Sequence, residues 1–199
     1  VSIRSLDKIS SPQRVAAVGA SNTPTKVGYP EEFVTQRKLK DETPVVLRPI
    51  KPEDEPMWHN LLANCSKESI WFRFNGMVDH TTHEIGTRYC FIDYEREIGI
   101  VAEVKEDDHR KLVGVGRLVS DANHDEAEYA VIVVDRWHGR GLGGILTDYC
   151  LDVAKRWGVN RVVAQIAKNN TRMLAILRDR GFATDDSKDD VMLVSKTLK

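Results

Sequence analysis

The sequence predicts an α/β protein built on one central sheet, mixed but mostly antiparallel and twisted, with helices on both faces. Three observations carry this. First, the apolar runs IGIVAEV (98–104), KLVGVGRLV (111–119) and AEYAVIVV (127–134) are separated by the polar turns KEDDHR and SDANHD, the pattern of consecutive antiparallel strands. Second, the period then lengthens: Leu142, Leu146, Tyr149, Val153 and Trp157 recur every three or four residues, the inner stripe of an amphipathic helix. Third, VNRVVAQI, NTRMLAILRDRGF and VMLVSKTL alternate strand, helix and strand, and such an alternation after a run of strands needs a sheet covered on both sides.

Upstream, the elements follow from local chemistry. RVAAVG (14–19) is a short apolar strand, but Pro24, Gly28 and Pro30 interrupt the chain after it. A nucleotide-binding unit would need a long helix and a second parallel strand there, so this stretch reads as an arm rather than a working site. FVTQRKL and VVLRPI flank KDETP as a hairpin with a longer turn. Pro49, Pro52 and Pro56 then bracket a change of direction. KPEDEPMWHNLLANC sets Trp58, Leu61 and Leu62 at helical spacing, with acidic residues in the first turn, where the helix dipole favours them. SIWFRF forms a second short helix or turn, and Trp58, Trp71, Phe72 and Phe74 are expected mostly in the core. Thr81 and Glu84 have capping-box spacing ahead of Ile85 and Arg88. Gly181 stops the last helix.

The chain has 199 residues, enough for one domain and an appendage, and its 29 Lys plus Arg against 30 Asp plus Glu leave a formal charge of -1. That balance exerts no long-range pull on nucleic acid or an anionic membrane. The longest strongly apolar stretch, Tyr129 to Val134, is too short to span a bilayer, and the opening VSIRSLDKISSPQ lacks the apolar core of a signal peptide. Cys65, Cys90 and Cys150 form an odd, dispersed set without CxxC, which suits a reducing cytoplasm better than a disulfide framework. Asp79, His80, His83 and Glu84 lack a third histidine at ligand spacing, so no metal is expected.

The richest chemical signal is DRWHGRGLGGILTDYC (135–150), where an apolar strand feeds a glycine turn that feeds a helix. Glycines let the backbone turn tightly and approach an anion. The first N–H groups of a helix lack internal acceptors and lie at the positive end of its dipole. Arg140 could add charge from its side chain. A diphosphate fits. A Walker loop would need Lys-Ser or Lys-Thr after the glycines, where GGIL stands. A Rossmann turn would follow the first strand, whereas this turn follows three antiparallel candidates.

On these residues the sequence resembles the GNAT superfamily of N-acetyltransferases. The family's pyrophosphate signature is Gln or Arg, two variable residues, Gly, one variable residue, then Gly or Ala. It falls on His138 through Gly143, with His138 in the Gln/Arg position. NTRMLAILRDRGF resembles the family's second helix with its Gly-Phe exit, and with VVLRPIKPEDE the resemblance spans residues 44–199. More narrowly, YPEEFVTQRKLKDETPVVLRPIKPEDEPMW and the RYCFIDYEREIGIVAEV region resemble the acetyltransferase domain attached to ADP-forming acyl-CoA synthetase-like proteins, which include Pat-type protein lysine acetyltransferases. LDKISSPQRVAAVGASNTPTKVG resembles the first strand and loop of the synthetases' CoA-binding domain. The resemblance thus implies a truncated CoA-binding-like arm over residues 1–30, no synthetase activity, and an acetyltransferase domain with its leading hairpin over residues 31–199. The arm's apolar strand would seek a partner, so pairing with a second copy is expected.

The same resemblance implies acetyl-CoA as cosubstrate, CoA as product, no metal, and direct acetyl transfer to an amine, on the narrower likeness a protein lysine. A lysine amine with a pKa of about 10.4 must lose its proton before it attacks, so a carboxylate within reach is needed. Glu128 shares its strand face with Ala130 and Ile132 and matches the family's general-base glutamate; Glu126 is its alternative. Ile132, Val133 and Val134 would pair with pantetheine as an added strand, inside a splay toward the parallel VVAQI. His138, Gly139, Arg140, Gly141, Leu142, Gly143 and Gly144 would hold the diphosphate, and Asn170 would bond a pantetheine amide. Leu177 stands where the family often places a tyrosine, so no general acid is assigned. Two other readings remain open on the sequence: a small-molecule amine acetyltransferase, and a CoA- or acetyl-CoA-sensing module without turnover. Glu128 favours an enzyme, because a sensor needs the phosphate turn but no proton acceptor.

Overall fold

A computed structural model describes residues 28–76, 82–185 and 190–199. The strand expected at 14–19, most of the arm over residues 1–30, and Asp79, His80 and Thr81 lie outside the described residues.

The leading hairpin pairs β1 (Thr35–Lys38) with β2 (Pro44–Pro49), Thr35 opposite Leu47 and Lys38 opposite Pro44. Alternation buries Val45 and Leu47 fully and Val46 and Arg48 in part. The chain then turns through prolines into α1 (Glu55–Ala63), which buries Trp58, Leu61 and Leu62. Just before α1, the buried Asp54 accepts from both terminal nitrogens of Arg48, at 2.6 and 2.7 Å. Glu103 takes the same guanidinium from the other side at 2.8 Å, so the hairpin, the helix entry and the third strand share one ion cluster.

α2 (Lys67–Phe74) begins at Ser66, whose Oγ accepts from Ser69 N–H, and ends at Asn75 with φ of 50°. α3 (His83–Cys90) is capped by Thr82, whose extended backbone lets its Oγ1 accept from Ile85 N–H. The cap therefore falls one residue after the expected Thr81, because the helix itself starts one residue later. Trp58 and Tyr89 stack at 5.1 Å and tie α1 to α3.

β3 (Glu97–Glu106), β4 (His109–Ser120) and β5 (Glu126–Val133) continue the sheet as antiparallel neighbours. α4 (Leu142–Arg156) crosses over to β6 (Arg161–Ala167), followed by α5 (Thr171–Arg178), the two-residue β7 (Ala183–Thr184) and β8 (Val191–Thr197). The strand order is β1-β2-β3-β4-β5-β6-β8-β7, and β5–β6 is the parallel pair. This is the mixed, mostly antiparallel sheet that the sequence predicts. β7 is an addition to the expected elements, since two residues carry no periodicity.

α4 lies on one face, burying Leu142, Leu146, Tyr149 and Val153. Gly116 on β4 lets it approach: a Cβ there would stand 2.8 Å from Cys150 Sγ. Arg117, next along β4, points to the opposite face, where it donates to the Tyr89 carbonyl of α3 at 3.1 Å. α1 packs on β4 and α2 on β5. Among the described residues no helix is long and apolar enough to cross a membrane.

Candidate active site

The site begins where the sheet stops being continuous. β5 and β6 pair only through Glu126–Arg161, Ala127–Val162 and Glu128–Val163. Beyond Glu128, β5 stays paired with β4 as far as Gly114–Val133, and β6 stays paired with β8 as far as Ala167–Val191. Two strands held by their outer neighbours therefore diverge from a vertex at Glu128.

Backbone direction in this opening follows from one bond. Val134 N–H donates to Val113 O at 3.0 Å, on the β4 side. Alternation along an antiparallel strand then sends the polar groups of Ile132 toward β4 as well, and those of Val131 and Val133 toward the opening. Val134 O is also taken, by Trp137 N–H at 2.8 Å. Of the three residues expected to pair with pantetheine, Val133 turns its N–H to the opening while its O accepts from His138, Ile132 lines the cleft with its side chain, and Val134 turns toward β4; Val131 faces the opening as Val133 does.

The opening is a cleft of about 340 Å³ between Val131, Ile132 and Val133 of β5, Phe72 of α2, and Asn170 and Arg172 at the start of α5. α2 is tied to the cleft wall through Asp135, which accepts from Ser66 N–H at 2.7 Å, Ser66 Oγ at 2.8 Å and Ser69 Oγ at 3.0 Å. Burial works to raise the Asp135 pKa, yet these donors prevail and hold it below the usual carboxylate value.

At the outer end, Gly139 and Gly141 take φ of 78° and 87°, a left-handed backbone that glycine adopts without strain. Gly141 is the residue before α4 and brings no capping side chain, so the first amides of the helix, from Leu142, Gly143 and Gly144, keep their donors for an outside acceptor. Gly143 also lets α5 close in: its Cβ would lie 3.3 Å from Ile176 Cδ1. Arg140, expected at the diphosphate, lies toward the hairpin. Its guanidinium sits 3.3 Å from Asp41 in the hairpin turn and 4.5 Å over the Trp137 ring, and it does not line the cleft. Its neighbours are an acidic side chain and an aromatic face on the hairpin side.

His138 lines the cleft with both ring nitrogens engaged. Nε2 donates to Val133 O at 2.8 Å, so Nδ1 is the acceptor, and Arg172 Nη1 donates to it at 2.5 Å. Asn170 lines the cleft as the N-cap of α5, its Oδ1 accepting from Met173 N–H at 3.1 Å while the cap leaves Nδ2 to donate elsewhere. Leu177 is fully buried in the core, so α5 brings no hydroxyl from that position.

Glu128 itself is half-buried at the vertex, opposite Val119 of β4 and Val163 of β6. Along the same face, Ala130 is opposite Arg117, which forms an ion pair with Glu97 and stands 4.6 Å over the Tyr89 ring. Burial brings the Arg117 pKa down to about 10, against the opposing pull of Glu97. Arg73 of α2 reaches the same ring at 5.9 Å. This group is absent from the residues expected at the site, although an arginine inside KLVGVGRLV is its visible signal. Glu126 is placed differently, at the strand start, 3.3 Å from Arg161. The polar residues around His83 gather elsewhere: Glu55 accepts from His83 at 2.6 Å and lies 3.4 Å from His59. Among the described residues no three His, Cys, Asp or Glu side chains are grouped to hold a metal.

A sheet split at a vertex, with an amide-bearing glycine turn at the mouth of the split, defines a site for a long ligand that ends in an anion. Comparison with known proteins gives that class a family. Residues 63–182 match the sequence model of the acetyltransferase (GNAT) family. An acetyltransferase of Pseudomonas aeruginosa is 28% identical over 152 residues, 76% of this chain and 82% of its own length. The GNAT domain of S. lividans PAT has the same fold, with a TM-score of 0.77 and 24% identity over 85% of this chain and 99% of that one. Mycobacterium smegmatis RimJ, solved in complex with CoA-disulfide, gives a TM-score of 0.65 at 20% identity, covering 83% of this chain and 87% of that one. The chain belongs to the GNAT family and is an acetyltransferase.

Proposed function

We propose that this enzyme moves the acetyl group of acetyl-CoA directly to the side-chain amine of a protein lysine, with Glu128 as the base. The observation that carries the reading is the end of the β5–β6 ladder at Glu128 and Val163, which sets a carboxylate at the apex of a strand-shaped opening. In this reading the pantetheine arm pairs with Val131 and with the N–H of Val133 along the edge of β5, and Asn170 donates Nδ2 to one of its carbonyls. The diphosphate rests on the amides of the turn from Gly139 to Gly144, where the α4 dipole favours negative charge.

The neutral amine attacks the thioester carbonyl, a C–N bond forms, and the C–S bond breaks with its electron pair going to sulfur. Glu128 accepts the amine proton directly or through one water. The CoA thiolate takes a proton from solvent. A thiol with a pKa near that of cysteine, about 8.5, leaves without a strong acid, so Leu177 is compatible with turnover. Protein lysine as the acceptor is supported by the narrower sequence resemblance to Pat-type enzymes and by the fold likeness to S. lividans PAT.

The test measures acetyl transfer from acetyl-CoA against pH for the parent, Glu128→Gln and Glu126→Gln, offering a protein extract read by acetyl-lysine detection and a panel of small amines. Glu128→Gln should lower turnover by roughly 10²–10⁴-fold at neutral pH with CoA affinity little changed. The deficit should shrink between pH 7 and 9, as the neutral fraction of a lysine amine rises about a hundredfold. Equal activity of Glu128→Gln and parent would remove Glu128 from the mechanism. Transfer to small amines alone would replace the acceptor, and tight acetyl-CoA binding without transfer to any amine would make the chain a sensing module.

A further inference from the structure

We propose that Arg172 supplies the charged contact to the diphosphate of CoA, and that His138 positions it for that task. The inference rests on the reading that the cleft takes CoA. It starts from an electrostatic mismatch. The side chain inside the glycine turn, Arg140, lies instead beside Asp41 and over the Trp137 ring. The guanidinium that does line the cleft is Arg172, which arrives from α5.

Its position is unusual for a cation. Arg172 is the second residue of α5, and the first turn of that helix holds no acidic side chain. A positive charge there opposes the helix dipole. Among the described residues Arg172 has no carboxylate partner; its bond is to a neutral imidazole nitrogen, His138 Nδ1. Two acids line the cleft, Glu68 of α2 and Asp135, which is bonded to Ser66 and Ser69 at the start of α2. The N-termini of α4 and α5 and one guanidinium therefore converge on a single opening. These donors, gathered at one end of the opening, are what a diphosphate would accept from.

His138 decides where the guanidinium stands. A carbonyl can only accept, so Val133 O fixes the proton on Nε2, and this leaves a lone pair on Nδ1 aimed at Arg172. The ring thus links the free edge of β5 to the start of α5 and holds Arg172 at the head of the glycine turn. It contributes no charge of its own. An Arg at 138 would bring a guanidinium to the same place and drive Arg172 off.

Calorimetric titrations of CoA, dephospho-CoA and pantetheine separate the contributions. Arg172→Ala should weaken CoA and dephospho-CoA alike, by about tenfold, reduce the salt dependence of both, and leave pantetheine unchanged. His138→Gln, which keeps a donor for Val133 O and an acceptor for Arg172, should retain most of the affinity. His138→Ala should lose part of it, and should cost little more when Arg172→Ala is already present. Adding His138→Arg to Arg172→Ala should restore binding. Arg172→Ala with parental CoA affinity would overturn the proposal. So would an equal loss for pantetheine, which marks a structural role, or a loss for CoA but not dephospho-CoA, which moves the contact to the 3′-phosphate. A parent that binds none of the three fails the reading of the cleft instead.

Discussion

Gly141→Ala probes the phosphate turn at the point where backbone geometry and function meet. With φ at 87°, an alanine there takes on the left-handed penalty of L-residues, about 1–2 kcal/mol. The added Cβ would also lie 3.1 Å from Lys40 Cγ and 3.3 Å from its Cε. Lys40 is fixed at its backbone, where its N–H donates to Arg140 O at 3.1 Å, but its side chain is free to swing, so the contact adds little. A loss of about 1–2 kcal/mol corresponds to a melting temperature lower by roughly 2–8 °C in a domain of this size. Two further substitutions isolate the cause. Gly139→Ala has φ of 78° and nothing within 4 Å of its Cβ, so it carries the strain alone. Gly144→Ala lies in α4, where alanine is favoured over glycine by about 1 kcal/mol. Its Cβ, however, would stand 2.7 Å from Arg180 Nη2, a nitrogen that Asp148 holds at 2.8 Å. Those effects offset, and its net change should be near zero. Circular dichroism melts with and without CoA give both stability and the ligand-induced shift, which Gly141→Ala should diminish because the first amides of α4 lose their aim. A Gly141→Ala protein that melts with the parent and shows the same CoA shift would refute the reasoning.

Arg48→Ala leaves the buried carboxylates of Asp54 and Glu103 facing one another, and should cost about 3–5 kcal/mol in urea denaturation; a loss under about 1 kcal/mol would show that the cluster is solvated. Asp135 has its pKa held down in the folded protein, so its contribution to stability is present above the unfolded value of about 3.9 and disappears as pH falls through the lower folded value. Asp135→Asn should therefore flatten the acid limb of the stability–pH curve, and an unchanged limb would count against the Ser66–Asp135 anchor. Burial pushes the Cys65 and Cys90 thiols up to about 12 and Cys150 higher still, so the native protein should leave a thiol reagent at pH 8 largely unconsumed and should react at all three only when unfolded.

The parts of this fold legible in the sequence are those set by periodicity and by glycine. The stripe from Leu142 to Val153, the apolar runs of β3 to β5 and the turn from Gly139 to Gly144 are local patterns with local causes. The features that escape are set by neighbours distant along the chain. Arg140 resembles a phosphate ligand because its own segment contains nothing else for it to do; its partner Asp41 lies in the opening hairpin. Arg172 reads as an ordinary helix residue until the fold brings His138 against it. Which residues of AEYAVIVV turn their amides to the opening also depends on the pairing with β4, and consecutive residues face opposite edges. Thr82 in place of Thr81 is an error of the same kind, since adjacent threonines offer equivalent caps and only the helix start chooses between them.

The three-residue ladder between β5 and β6 also has a mechanical meaning. β1 to β5 form one antiparallel plate, each strand beside its predecessor, and β6, β8 and β7 form another. The plates meet along a seam from Glu126 to Glu128 on one side and Arg161 to Val163 on the other, with α4 packed on the first plate against β4 and β5. Hydrogen bonds within a plate resist shear, whereas a seam this short acts as a pivot. A small rotation of the second plate about it widens or narrows the cleft while every ladder inside either plate stays intact. α5 meets α4 through Ile176 seated on Gly143, and the Arg180–Asp148 and Arg172–His138 bonds join the same parts of the chain, so these contacts together limit how far the plates close.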